Sequence, residues 1–341
     1  MSETNTATLP PRPRVVVTQK MPAPIARRLA DLFETTLNQK DTALGKDAIM
    51  AAVADHDVLV STVTDRIDAD IIAAAGPQLK LIANFGAGTD HIDVAAAHAK
   101  GITVTNTPGV LTEDTADLNM ALILAVPRRL VESDRITRAG GFTGWTPTAT
   151  LGHRVRGKKL GILGMGRIGQ AVARRAHAFG LSVHYHNRRK VSAPIEDALD
   201  ATYYEYLEDM LSVVDILSIN CPKTPATYHA MNKERLALMS PNSYIINTSR
   251  GDVIDEDALA DALAAGKIGG AGLDVYEFEP KINPKLMDLP NVILAPHIGS
   301  ATHESRREMG EKVLINIRAM MDGHRCPDRV LPPGATFSKA S

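Results

Sequence analysis

Three short stretches each follow an apolar run, and each delivers one reactive side chain. NTSRG (residues 247–251) gives Arg250, DVYEFEP (274–280) gives Glu279 and PHIGSAT (296–302) gives His297. Imidazole titrates near neutral pH, so His297 could donate a proton to a carbonyl oxygen that gains negative charge as hydride reaches its carbon. A carboxylate bonded to the other ring nitrogen would favour imidazolium and fix the ring, and Glu279 could be that carboxylate. The forked guanidinium of Arg250 could polarise the carbonyl and clamp a neighbouring carboxylate. Each residue alone has a plainer reading. A histidine at a strand end is usually structural, Glu-Pro often just ends a turn, and an arginine before glycine commonly lies at the surface. The set gains meaning from what precedes it.

LGILGMGRIGQAV (160–172) carries Gly164, Gly166 and Gly169 in G-x-G-x-x-G spacing between a strand-like and a helix-like run. The first glycine permits a tight turn, the second lets a pyrophosphate approach the backbone, and the third lets helix and strand pack closely. The helix N-terminus then offers free N–H groups and a positive dipole end. The glycine pattern is weak evidence alone, and the strand–turn–helix context is what supports a dinucleotide site. Eighteen residues after Gly169, HYHNRRK (184–190) ends the next strand. An acid expected there would hold a free ribose 2′-hydroxyl and repel a 2′-phosphate. Asn187 removes the repulsion, and Arg188 and Arg189 add forked cations, so NADP(H) is expected over NAD(H), with NAD(H) still possible. The alternative is an exposed basic turn, with specificity decided elsewhere. His184 and His186 share one strand face, but no third ligand is evident and no metal is expected.

The elements that must hold these groups alternate along the whole chain. RVVVT (14–18), DVLVST (57–62), LKLIANF (79–85) and TVTN (103–106) read as strands, with helical spacing between them. A long helical pattern from about 113 to 138 follows, with Pro127 as a break. A second series begins at KLGILG (159–164) and continues through LSVHYH, DILSIN, SYIINTS, GAGLDV and NVILAP. Gly180 and Gly266 are placed to cap its helices. A last helix, about 302–322, leaves this series. The alternation predicts an α/β protein of two Rossmann-like or flavodoxin-like doubly wound parallel-sheet domains with a cleft between them. Residues 1–110 and 300–341 would form a substrate-binding domain around an inserted dinucleotide-binding domain, 111–299.

At 341 residues, two domains are the natural expectation, and 44% hydrophobic residues suffice for sizeable cores. A formal net charge of −1 gives no electrostatic reason to expect nucleic acid or an acidic membrane as partner. Two distant cysteines, Cys221 and Cys326, build no disulfide framework and suit a reducing, cytoplasmic compartment. The N-terminus, MSETNTATLPPRPR, lacks the apolar core of a secretory signal and reads as a flexible tail.

The stretches FGAGTDHID, TPGVLTEDTAD, LGILGMGRIGQAVARR, INTSRGDVIDEDAL, GLDVYEFEP and LAPHIGSAT together resemble the D-isomer-specific 2-hydroxyacid dehydrogenase family, and within it the glyoxylate/hydroxypyruvate reductases. They span about residues 80–302 in the family's order. The resemblance implies NADPH-dependent reduction of small 2-oxo acids, glyoxylate and hydroxypyruvate first, to D-2-hydroxy acids, with domain closure expelling water. It makes Arg250, Glu279 and His297 the catalytic trio and puts the substrate carboxylate on the backbone N–H groups of Ala87 and Gly88. It sets Thr115 near the nicotinamide, makes Asp274 the carboxamide acceptor, and assigns Arg167 and Ile168 to the pyrophosphate turn. Cys221, Pro222 and Gly299 complete the expected cofactor wall. Trp145 resembles an aromatic that reaches the neighbouring subunit's pocket, which implies a homodimer. Plainer readings stay open: Ala87–Gly88 as a tight loop, Asp274 as a turn cap, and Thr115 as an ordinary helix-start residue. The departures are Asn187, where NAD-using members carry an acid, and Asp117, where a glutamate is usual. Rival readings on the same fold are phosphoglycerate or phosphite dehydrogenases; formate dehydrogenases place glutamine where Glu279 stands. A rival of another class is a nucleotide-sensing binding protein like the C-terminal-binding-protein corepressors.

Overall fold

The computed structural model describes residues 12–332 and 334–335, so most of the N-terminal tail lies outside the described residues. The chain divides into two compact units. One comprises the residues up to Val110 and those from Thr302 onward; the other is Leu111–Ala301.

In the first unit, strands β1 (Arg14–Val17), β2 (Glu34–Leu37), β3 (Val58–Thr62), β4 (Leu81–Phe85) and β5 (Thr103–Thr105) run parallel in the order β2-β1-β3-β4-β5. The second unit holds β6 (Lys159–Leu163), β7 (Ser182–His186), β8 (Ala201–Tyr204), β9 (Ile216–Ile219), β10 (Tyr244–Asn247), β11 (Gly270–Leu273) and β12 (Val292–Leu294). All are parallel, in the order β8-β7-β6-β9-β10-β11-β12. Back in the first unit, β13 (Arg329–Val330) adds an antiparallel edge on β5. These are a flavodoxin-like order and a Rossmann order, in both of which ligands bind beyond the carboxyl ends of the strands.

The central strands are buried on both faces, which is why they read as continuous apolar runs. Sequence reading missed β2, β8 and β13. Each is an edge strand with one neighbour, only partly buried, and so carries no such run. The long helical pattern does break at Pro127, into Thr112–Ala125 and Leu130–Arg138, with Arg129 left-handed at φ 52°. Helix Arg167–Ala178 buries Ala171, Val172, Ala173 and Ala176 and ends into Gly180 at φ +73°. In the first unit, the last helix, His303–Met321, is capped by the Thr302 hydroxyl and lies so close to the first helix that only Gly310 fits against Ile25. Among the described residues no helix is long and apolar enough to cross a membrane.

Candidate active site

Arg250, Glu279 and His297 come from three loops that leave the carboxyl ends of neighbouring strands, β10, β11 and β12. The first loop is folded by Asn247. Its buried side-chain oxygen accepts from the Ser249 N–H and Oγ (3.0 and 2.9 Å), and its amide donates to the Arg250 carbonyl (2.9 Å). Gly251 is obligatory: a Cβ there would overlap the backbone of Tyr276. That close approach sets the Arg250 turn against the loop that carries Glu279.

Glu279 is held at both oxygens. Oε1 accepts from the Tyr276 N–H (3.0 Å), and Oε2 lies 2.8 Å from His297 Nδ1. Burial alone would raise this carboxyl. The hydrogen bond and charge of His297, the Tyr276 amide and the charge of Arg250 outweigh it and hold Glu279 below the ordinary glutamate range. Because Nδ1 meets the carboxylate, Nε2 is the ring nitrogen left to face a substrate.

His297 itself has a left-handed backbone, φ 56°, which costs a non-glycine residue about 1–2 kcal/mol. Asp274 compensates by accepting the next two backbone N–H groups, Ile298 at Oδ1 (2.7 Å) and Gly299 at Oδ2 (2.8 Å). Burial pushes the Asp274 carboxyl up while these two N–H groups pull the other way. The Gly299 carbonyl in turn accepts from Thr115 Oγ1 (3.0 Å). Thr115 and Asp274, expected at the nicotinamide, and Gly299, expected in the cofactor wall, are thus one buried cluster that locks the His297 loop.

The glycine loop has the geometry a pyrophosphate needs. Gly164 is left-handed at φ +100°, and a Cβ there would stand 2.6 Å from the Cys221 amide nitrogen. A Cβ on Gly169 would overlap the Gly164 carbonyl, whereas at Gly166 it would meet open space. Helix Arg167–Ala178, with Arg167 and Ile168 in its first turn, has neither a side-chain cap nor an acid there. Its first N–H groups are left for an anion. Cys221, next to Pro222, is a buried wall residue with its thiol pushed up to about 12 by burial, which suits no nucleophile.

Asn187 Oδ1 accepts from the Met165 N–H of the glycine loop (3.3 Å), so the end of β7 is tied to that loop. Lys190 is engaged with Glu196 (2.8 Å). Arg188 and Arg189 are exposed and make no hydrogen bond or ion pair among the described residues. These residues fit a nicotinamide dinucleotide, and the two open guanidinium groups fit one with an added phosphate. His184 and His186 instead bind Tyr204, through its hydroxyl (3.2 Å) and carbonyl (3.0 Å). Asp117 pairs with Arg175 (2.6 Å) on the surface, so the shorter acid still braces the cofactor helix.

The first unit carries its own anion-suited loop. Asn84 donates to the carbonyls of Gly86 (3.0 Å) and Gly88 (2.9 Å), and Asn106 donates to that of Ala87 (2.7 Å). The carbonyls are satisfied from behind, and the Ala87 and Gly88 N–H groups make no hydrogen bond among the described residues. Sequence reading missed Asn84, Asn106 and also Arg306. The half-buried Arg306 guanidinium lies 5.9 Å from the Phe85 ring centroid, its pKa lowered by burial, with no ion pair among the described residues. The only available sequence signal was its place four residues after the PHIGSAT stretch. Trp145 is 85% exposed, amid exposed Phe142 and Leu151.

The profile described as D-isomer specific 2-hydroxyacid dehydrogenase, NAD binding domain, matches residues 120–299. The chain is 45% identical to a glyoxylate reductase of Thermococcus litoralis over 324 residues, 94% of this chain and 97% of that one. It is 44% identical to a glyoxylate reductase of Korarchaeum cryptofilum over 335 residues, 95% and 99% of the two chains. Among solved structures it resembles an NADPH-dependent glyoxylate/hydroxypyruvate reductase from Sinorhizobium meliloti in complex with NADP and malonate. That match has a TM-score of 0.82 and 36% identity, covering 94% of this chain and 97% of that one.

Proposed function

The chain belongs to the D-isomer-specific 2-hydroxyacid dehydrogenase family and is an NAD(P)-dependent enzyme of that family; from this premise we propose that it reduces glyoxylate and hydroxypyruvate to D-2-hydroxy acids, with NADPH preferred and His297 as general acid. The observation that carries the mechanism is the 2.8 Å His297–Glu279 pair on loops beside Arg250. When bound, the nicotinamide supplies the hydride. Arg250 steadies the oxygen that gains charge and forks onto the substrate carboxylate. The Ala87 and Gly88 amides of the first unit are assigned to a substrate carboxylate. His297 gives its Nε2 proton to the oxygen, while Glu279, kept ionised, holds the ring and stabilises its charged form. Thr115, Asp274 and Gly299 bound the nicotinamide, Cys221 and Pro222 wall the cofactor groove, and Asn187, Arg188 and Arg189 receive the 2′-phosphate. The exposed Trp145 and its apolar neighbours support a homodimer in which this segment meets the partner.

A spectrophotometric panel tests the reading by following NADPH and NADH oxidation with glyoxylate, hydroxypyruvate, pyruvate and bulkier 2-oxo acids. Fastest turnover is expected with NADPH and the two smallest polar acids. Absence of turnover with every 2-oxo acid would overturn it.

Arg250→Lys checks the clamp separately. An ammonium cannot reproduce a bidentate fork, and Arg250 also spends Nη1 on the Ser249 carbonyl (2.8 Å), a hold that lysine would have to share. The expected loss in kcat/KM for glyoxylate is at least about tenfold, roughly 1.4 kcal/mol. Wild-type kinetics in this variant would remove Arg250 from the carboxylate.

A further inference from the structure

Helix Thr112–Ala125 packs on the sheet of the second unit through Ala116, Met120 and Ile123, yet carries a fully buried amide among them, Asn119. That amide stands in a line of four polar side chains. Asn220 Nδ2 donates to Ser218 Oγ (2.8 Å), Ser218 Oγ donates to Asn119 Oδ1 (2.9 Å), and Asn119 Nδ2 donates to Thr248 Oγ1 (2.9 Å). All the donors point the same way, so each bond polarises the next. The line ends two residues before Arg250, at the start of the turn that Asn247 folds.

Apolar side chains of the same volume would hold the helix on the sheet without the cost of burying these groups. What they could not do is fix Thr248 to within a hydrogen-bond length of the helix. One turn earlier, at the i−4 position on the same helix face, Thr115 makes the corresponding tie to the His297 loop through Gly299. The outer side of the helix pairs Glu113 and Asp117 with Arg175 of the cofactor helix (2.7 and 2.6 Å). A single helix therefore holds three functional segments, and Asn119 ties it by hydrogen bond to Thr248, two residues before Arg250.

We infer that Asn119 is a positioning residue that sets the reach of Arg250 through Thr248. The inference rests on the reading of Arg250 as the carboxylate clamp. A double-mutant cycle tests it, with Asn119→Ala, Arg250→Lys and the pair. Two readouts are used: kcat/KM for glyoxylate, and calorimetric binding of oxalate, a non-reducible two-carbon acid, to the NADP-bound protein. Asn119→Ala is expected to weaken both by roughly 10- to 100-fold in the parent. In the Arg250→Lys background the same change should cost less than about twofold, because coupled residues lose the same interaction once. NADPH affinity, read from cofactor fluorescence, should stay within about twofold, as a contact made beneath the Arg250 turn predicts. Thr248→Val, which deletes the hydroxyl but keeps the shape, should behave like Asn119→Ala and carries the test if the alanine variant does not fold. Additive losses, a matching loss of NADPH affinity, or unchanged oxalate binding would overturn the inference. If the parent reduces no 2-oxo acid, the proposed activity fails, and the oxalate cycle still decides the positioning role.

Discussion

Replacing His297 with alanine is expected to lower kcat for glyoxylate by about 10²- to 10⁴-fold while KM changes little. General acid catalysis contributes on that scale, and a group that acts only as charge develops is lost from kcat rather than from ground-state binding. Two features would confuse the result, and both can be separated. Alanine tolerates the left-handed backbone at this position, φ 56°, poorly, whereas asparagine visits it readily. His297→Asn should therefore lose activity to a similar degree while melting closer to the parent. The second feature is the carboxylate left behind. Among the influences that lower Glu279, the His297 hydrogen bond and charge come first, against a larger upward push from burial. Without the imidazole, that carboxyl should rise.

The sign of the linkage follows from the depressed value in the parent. Ionised Glu279 contributes stability above the ordinary glutamate range, and the contribution is lost as pH falls through its lower folded-state pKa. In His297→Asn that contribution should shrink, so the variant should lose less stability than the parent as pH falls below the ordinary glutamate range. Steady-state kinetics and thermal melts across the acid range read both effects. Near-parental kcat in His297→Asn would remove the imidazole from the proton transfer.

How far such a site can be read in advance depends on what each residue signals locally. The trio could be picked out because each member lies in a loop that follows an apolar strand, and an apolar run followed by Arg-Gly, Glu-Pro or Pro-His is visible in one dimension. The glycine loop was legible because backbone geometry restricts residue type: Gly164 is left-handed, and Gly169 meets a carbonyl where a side chain would stand. Asn84, Asn106 and Asn119 were not legible. A polar residue inside or beside an apolar run looks like noise until the chain brings its partner to it, from 19 residues away for Asn106 and from 99 and 129 residues away for the Ser218 and Thr248 partners of Asn119. Asp274 was half legible. The family resemblance suggested a carboxamide acceptor, but the structure spends one lone pair of each oxygen on the His297 loop. That makes it first a lock on a strained backbone. The missed edge strands have the same origin as the missed asparagines, since a half-exposed segment such as ETTL carries no burial signal of its own.

Cofactor choice gives the second large effect. Removing both guanidinium groups, as Arg188→Ala with Arg189→Ala, is expected to shift the NADPH-to-NADH ratio of kcat/KM by roughly 30- to 150-fold. The two side chains are exposed, so each contact with a 2′-phosphate falls between an exposed ion pair, up to about 1 kcal/mol, and a charge-assisted hydrogen bond, about 1.5 kcal/mol or more. Two such contacts sum to about 2–3 kcal/mol, which is the stated ratio. The loss should fall on NADPH alone, because a ribose with a free 2′-hydroxyl gives the cations nothing to pair with. Screening supplies an independent check: in the parent, KM for NADPH should rise with ionic strength more steeply than KM for NADH, and the double variant should lose that difference. Asn187→Asp probes the other half of the argument. Aspartate keeps an oxygen for the Met165 N–H that Asn187 now binds at 3.3 Å, so the loop should hold its shape. The new charge would repel the phosphate and accept from the hydroxyl, moving preference toward NADH. Equal losses with both cofactors in the double-alanine variant would mean that Arg188 and Arg189 shape the loop and read no phosphate.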